Sequence, residues 1–350
     1  MTKKNARATR WETLKRTIDA TARPPVHPIP EHHTVKGVST LLDAGGNIRA
    51  QWLKTADRRS EPEIIAQLVR ELPATFTPRK GKIAAPTNTR DDLMAVYPLG
   101  DPHVGLLAWA KETGDDFDLK IAEDLMVRAM RDLVLRGPRA REALIANLGD
   151  FFHADNVDNH TTHGSHMLDV DGRTPRVLQV GVAILGSLID AALEHHERVT
   201  VDNRIGNHDA YTAICLAIAM RERYRNEPRV SVPIPESHRA FFEFGQNLIG
   251  ITHGDRAKAN DLGAIMAAER PEAWGRTKHR VWYTGHVHHQ SVKEYRGVRV
   301  ESFRTLAARD SWHAAQGYVS GRDMHRITLH REFGEIGREI VNVQALLAAR

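Results

Sequence analysis

Cysteine is almost missing from this chain: its 350 residues hold one, Cys215. That scarcity excludes a disulfide framework and a thiolate-built zinc cage, and it fits a reducing compartment. Cys215 stands in the apolar run 213–220, a setting that predicts a buried helical residue. Low-complexity tracts are absent, and 41% hydrophobic with 27% charged residues is ordinary for a folded domain. No uninterrupted apolar run reaches the ~18 residues of a membrane span. The basic start MTKKNARATR has no apolar core behind it, so no secretory signal is expected and the cytoplasm is the expected location. Excess charge is small. A net +5 favours an anionic partner without naming its class.

Residues 1–30 combine basic side chains with Arg23-Pro24-Pro25-Val26-His27-Pro28-Ile29-Pro30, which cannot propagate a helix and reads as an arm. Residues 31–90 read as a small N-terminal region. It holds a hairpin of 34–42 and 48–54 around Asp43-Ala44-Gly45-Gly46-Asn47, then a helix over 61–72, then a linker over 78–89. From 91 to 350 the pattern becomes strand, polar loop, helix. Buried strands are expected at 93–99, 143–148, 199–202, 247–252 and 281–284. Helices are expected at 118–135, closed by Gly137, and from the cap Thr174 and first-turn Pro175 to about 196. This alternation predicts a layered α/β domain.

Each expected strand runs directly into a cluster of metal-ligating side chains. These are Gly100-Asp101-Pro102-His103, Gly149-Asp150-Phe151-Phe152-His153, Gly206-Asn207-His208-Asp209, His253-Gly254-Asp255 and Gly285-His286-Val287-His288-His289. Strand ends of one α/β sheet share a crevice, where groups distant in sequence converge. Extended backbone would put both side chains of Asp101-Pro102-His103 on one side. Carboxylates with imidazoles suit Mn²⁺, Fe²⁺ or Zn²⁺. Any one of the 20 histidines alone would be an ordinary surface or hydrogen-bonded residue; five ordered clusters at strand ends are not.

The ordered series resembles the calcineurin-like metallophosphoesterase family over about residues 93–330. The resemblance implies an α/β sandwich of central sheets flanked by helices, here with a small N-terminal appendage, and two divalent ions, Mn first with Fe or Zn as alternatives. It implies that Asp101, His103 and His288 hold one ion, that Asn207, His253 and His286 hold the other, and that Asp150 bridges them. It makes His208 the catalytic histidine. The Gly-Asp-Phe-Phe-His form is similar to that of double-strand-break repair nucleases, where the counterpart of His153 assists catalysis. Stretches 37–55 and 299–324 look like phage- and prophage-encoded members.

The implied chemistry is attack on a phosphodiester by a metal-activated hydroxide. Asp209 is expected to orient a neighbouring imidazole. DNA is the first expected substrate and nucleic acid the expected partner, with no membrane. A phosphomonoesterase, a small-molecule phosphodiesterase, and a non-enzymatic nucleic-acid binder are the alternatives. Arg256, Lys258, Arg304 and Arg322 are candidate phosphate contacts. Trp312 and Tyr318 are candidate stacking faces, with core packing as their commoner role. The loop 160–166 is either a lid or a plain connection, and His289 is left outside the ligand set.

Overall fold

A computed structural model describes residues 33–43, 48–57, 78, 79, 81–161 and 166–348. The expected arm at 1–30, the helix at 61–72 and most of the loop 160–166 lie outside the described residues. The chain divides into two compact units, Met1–Glu71 and Leu72–Arg350. In the first, β1 (His33–Leu42) and β2 (Ile48–Asp57) form the expected antiparallel hairpin, with Val38 opposite Leu53 and Thr40 opposite Gln51.

The second unit holds two sheets. One runs β13 (Gly334–Asn342), β12 (Asp323–His330), β3 (Arg90–Leu99), β4 (Ala140–Asn147), β5 (Arg198–Asn203), β6 (Val230–Ser231). The other runs β10 (Ser291–Tyr295), β11 (Val298–Ser302), β9 (His279–Thr284), β8 (Asn247–Thr252), β7 (Arg239–Phe244). Within them β3, β4, β5 and β6 are mutually parallel, as are β8, β9 and β11. The expected strands are therefore all present but are shared between two sheets, not gathered in one.

Alternation along the strands makes the layers. Met94, Val96, Leu144 and Ala146 point one way and meet Ile249, Ile251, Val281 and Tyr283 from the facing sheet. Their neighbours point the other way, as period-two side chains must. Leu248 and Trp282 pack with Leu262, Met266 and Ala273 of α5 (Leu262–Glu269) and α6 (Pro271–Arg276). After a single turn, α1 (Ala110–Thr113), come three helices, α2 (Leu119–Arg136), α3 (Thr174–Leu193) and α4 (Thr212–Arg223), that cover the larger sheet on its opposite side. Two sheets back to back with helices outside give an α/β sandwich. Helix α3 has the length and hydropathy of a membrane span, yet 67% of its most apolar window is buried within the fold.

Local details depart from expectation for physical reasons. Asp118 caps α2, accepting the Ile121 N–H at 2.7 Å, a bond worth about 1 kcal/mol. Gly137 ends α2 but with extended backbone (φ −95°). Glycine is required there because a Cβ would lie 0.9 Å from Nη1 of the fully buried Arg326. Thr174 is the first helical residue of α3, not its cap; Arg173 stands at the cap and makes no side-chain capping bond. Cys215 is helical but exposed, because it lies on the outer face of α4 while Ala213, Leu216 and Ala217 lie on the buried face.

His196, just past α3, ties β3 to β4. Its Nδ1 lies 2.7 Å from the Ala140 carbonyl and its Nε2 2.8 Å from the Tyr97 hydroxyl. Burial pushes its pKa down to about 4. The unfolded chain, with an imidazole near ~6.5, therefore binds a proton that the fold excludes. The stability it contributes is fully present above that unfolded value and is lost as pH falls towards 4. Between pH 7.5 and 4.5 this loss should reach roughly 2–3 kcal/mol. Urea denaturation at the two pH values should show a smaller decrement in His196→Asn than in wild type; equal decrements would contradict the assignment.

Candidate metal centre

The five ligand clusters leave the C-terminal ends of β3, β4 and β5 in one sheet and of β8 and β9 in the other. They meet. Donor atoms of Asp101, His103 and His288 lie within 4.8 Å of one another, as do those of Asp150, His253 and His286. Asn207 joins the second group, with Oδ1 2.8 Å from His253 Nε2, which is also 3.2 Å from Asp150 Oδ2. In the first group His103 Nε2 lies 3.1 Å from His288 Nε2, and His288 Nε2 lies 3.5 Å from Asp101 Oδ1. The groups adjoin, since Asp101 Oδ1 is 3.8 Å from His253 Nδ1.

Convergence this tight bends the backbone. Among described non-glycine residues eight have positive φ, and five of them are Asp101 (43°), His103 (44°), Asp150 (50°), His286 (68°) and His288 (53°). The extended geometry expected for Asp101-Pro102-His103 is replaced by two left-handed residues flanking a proline. Such residues cost of order 1–3 kcal/mol each and persist only where the surroundings fix them.

Cross-ties between loops do the fixing. Asp101 accepts the His286 N–H at 2.9 Å and Asp150 accepts the His208 N–H at 2.8 Å. The His103 N–H donates to the Asp150 carbonyl at 3.0 Å. Asp209, fully buried, accepts four backbone N–H groups, from Asp150 (3.1 Å), Phe151 (2.8 Å), Phe152 (3.2 Å) and Gly206 (3.0 Å). It therefore organises two loops, a role different from the expected one of orienting an imidazole. The motif glycines leave room for ligands of other motifs. A Cβ at Gly206 would lie 2.0 Å from Asp150 Oδ1, and one at Gly285 2.5 Å from Asp101 Oδ2.

Electrostatics match a cation site. Burial holds His103 well below the usual imidazole range, and burial together with the His208 charge takes His153 to about 3. Burial would also lower His253, but Asp150 and then Asp101 override it and push it up to about 10. Asp150 would rise on burial; the His253 charge holds it below the carboxylate range instead. Burial and the nearby Asp150 push Asp209 up to about 8. The His253 Nδ1–H is engaged by the Leu148 carbonyl at 2.9 Å, which leaves Nε2 facing two oxygens. Asp150 Oδ2, Asn207 Oδ1 and His253 Nε2 are atoms that can each offer a lone pair to a divalent cation. The residues present fit divalent-cation binding, with imidazole, carboxylate and amide oxygen donors.

Beside the ligands, His208 donates its Nδ1–H to the His153 carbonyl (2.9 Å) and its ring stacks on that of His153 (5.5 Å, 17°). His153 is 1% exposed, with Nδ1 3.2 Å from His103 Nδ1 and Nε2 buried without a partner. Arg256 and Lys258 are exposed on the loop after His253, Arg256 lying 3.6 Å from Asp255. Arg304 is held by the buried Asp323 at 2.6 Å. Arg322 is buried and donates to the Leu306 carbonyl. His289 is exposed, its Nδ1 against the Val287 carbonyl. Trp312 and Tyr318 are 50% and 57% exposed, which overturns their expected core packing.

Sequence reasoning passed over two residues. Asp155 accepts the N–H groups of Tyr211 (2.8 Å) and Thr212 (2.9 Å), anchoring the loop after Asp209. His313 stacks on His288 (5.0 Å, 22°), its Nδ1 2.7 Å from Asp310 Oδ1. Asp310 three residues before His313, at the cap of α7 (Ser311–Ala315), was the available signal.

No family model and no curated protein matches the chain. Solved structures with a similar chain path include a Streptococcus pneumoniae protein described as a predicted phosphoesterase. It is 14% identical, with 71% of this chain and 98% of that one covered and a TM-score of 0.30. Another is Vps29 complexed with zinc from Entamoeba histolytica, at 12% identity, 71% and 99% coverage and a TM-score of 0.30. A third is a putative 5'-nucleotidase from Staphylococcus aureus, at 11% identity, 72% and 54% coverage and a TM-score of 0.32. Alignments at these scores do not distinguish one activity from another.

Gly206→Ala tests the close approach on which the centre is built. Displacing Asp150 should weaken metal affinity roughly 10–100-fold, as loss of supporting contacts commonly does. Elemental analysis of the desalted variant, with circular dichroism confirming its fold, should show less metal than wild type. Wild-type metal content in the folded variant would show that Asp150 is not confined by Gly206.

Proposed function

We propose that the chain is a dinuclear-metal phosphoesterase that hydrolyses phosphodiester bonds, with DNA as its first substrate. One observation carries the reading: five strand ends from two sheets deliver two adjoining clusters of carboxylate, imidazole and amide donors, with His208 beside them. Asp101, His103 and His288 would hold one divalent ion and Asn207, His253 and His286 the other, with Asp150 shared. Mn²⁺ is the first choice, Fe or Zn the alternatives. When bound, such a pair lowers the pKa of water to supply a nucleophile and neutralises charge on phosphoryl oxygens.

The chain's own residues supply the remainder. The hydrogen bond from His208 Nδ1 to the His153 carbonyl fixes the tautomer, so Nε2 is the atom that handles the proton of the leaving oxygen. His153 is enclosed and positions this ring by stacking on it. Proton handling of this kind contributes about 10²–10⁴-fold to rate. The exposed Arg256 and Lys258 on the loop after His253 favour an anionic substrate. The DNA preference draws on the net +5 charge and on the Gly-Asp-Phe-Phe-His motif.

His208→Ala should keep its metal by elemental analysis and lose about 10²–10⁴-fold in phosphodiester turnover with Mn²⁺. Asp150→Ala should lose both ions. Turnover surviving in a metal-loaded His208→Ala enzyme would refute the proton-transfer role. With single- and double-stranded DNA both offered, at least one should be cleaved faster than a chromogenic phosphomonoester; rapid monoester hydrolysis without DNA cleavage would reject the nuclease reading for the monoesterase alternative.

A further inference from the structure

Five aromatic side chains among the described residues are largely exposed: Trp109, Tyr211, Trp312, Tyr318 and Phe333. Trp109 and Tyr211 lie on segments that follow metal-ligand motifs, and Trp312 and Tyr318 lie on the segment after β11. Trp312 and Tyr318 form a pair, with ring centroids 5.8 Å apart and planes tilted by 32°. His313 touches both rings (5.0 and 6.0 Å) and itself stacks on the ligand His288. The pair is thus one ring removed from the metal centre.

The segment carrying it is braced. Arg309 donates to the carbonyls of Thr113 and Tyr318, Asp310 caps α7, and Ser311 Oγ donates to Asp169 Oδ2 at 2.7 Å. Two large aromatic side chains that a fixed backbone leaves about half exposed, side by side, offer a surface to a binding partner. A ligand presenting a flat π face one ring from a phosphodiester is a nucleotide with an unstacked base. Bases inside a duplex are covered by their neighbours, whereas those of a single strand are free to stack on protein aromatics.

We propose that Trp312 and Tyr318 form a stacking platform for an unpaired nucleobase flanking the scissile phosphate, so that the enzyme acts on single-stranded nucleic acid or frayed ends. This rests on the phosphodiesterase reading above for its chemistry. The platform sets substrate class and does not itself take part in bond cleavage.

The test compares the Mn²⁺-loaded full chain on oligothymidylate with the same-length abasic oligomer, which has the phosphates without the bases. Wild type should show KM about tenfold lower for oligothymidylate, as expected for stacking of one base. That ratio should fall towards one in Trp312→Ala and in Tyr318→Ala, and stay tenfold in Phe333→Ala, whose ring stacks on His330 elsewhere. Equal KM values in wild type, or a tenfold ratio surviving in both platform variants, would overturn the proposal. Should neither oligomer be hydrolysed, the phosphodiesterase reading fails, and fluorescence anisotropy with the same oligomers decides the platform separately. Tighter binding of oligothymidylate that is lost in the two variants supports it; equal binding of both oligomers overturns it.

Discussion

Seven lone-pair donors crowded into one small volume are the constraint from which the rest of this structure follows. Imidazole nitrogens 3.1 Å apart and carboxylate oxygens 3.2–3.5 Å from imidazoles are held so close by a shared proton or by a cation among them. To bring them together the chain accepts left-handed backbone at five of them. At of order 1 kcal/mol or more each, that strain approaches the lower end of the net stability of a whole domain. The fourfold acceptor Asp209 is the compensation, because it fixes loops that would otherwise relax, while Gly206 and Gly285 leave the space that Asp150 and Asp101 occupy.

The sandwich serves that constraint. A single sheet would place strand ends in a row, whereas two sheets packed through Met94, Val96, Ile249 and Ile251 let ligands approach from both sides. Helices outside the sheets let central strands such as β4 and β8 bury both faces, so the ligating groups of these strands stand just beyond their ends. The aromatic pair at Trp312 and Tyr318 sits beyond this polar centre on a braced segment, where the fold alone does not require it.

Much of this was legible in the sequence. The run 247–252 reads as a buried strand because it is short, apolar and bounded by polar turns, and β8 spans those residues. The motif clusters were visible because ligating residue types recur directly after such runs. Sheet membership was not legible, since periodicity reports which face a side chain takes and not which strand lies alongside. The left-handed residues were hidden for a related reason: close packing of loops imposes them, against the local preference of Asp and His. Asp209 was misread because a carboxylate next to histidines resembles an imidazole partner, while its true partners are backbone amides that no sequence displays. Cys215 and Trp312 were misjudged by assigning burial from residue type alone.

Crystals grown with Mn²⁺ and measured for anomalous scattering test the central claim most directly. The account predicts two peaks, one among Asp101, His103 and His288, the other among Asn207, His253 and His286, with Asp150 between them. No peak among these residues, or a lone peak with the second cluster filled only by hydrogen bonds, would contradict it.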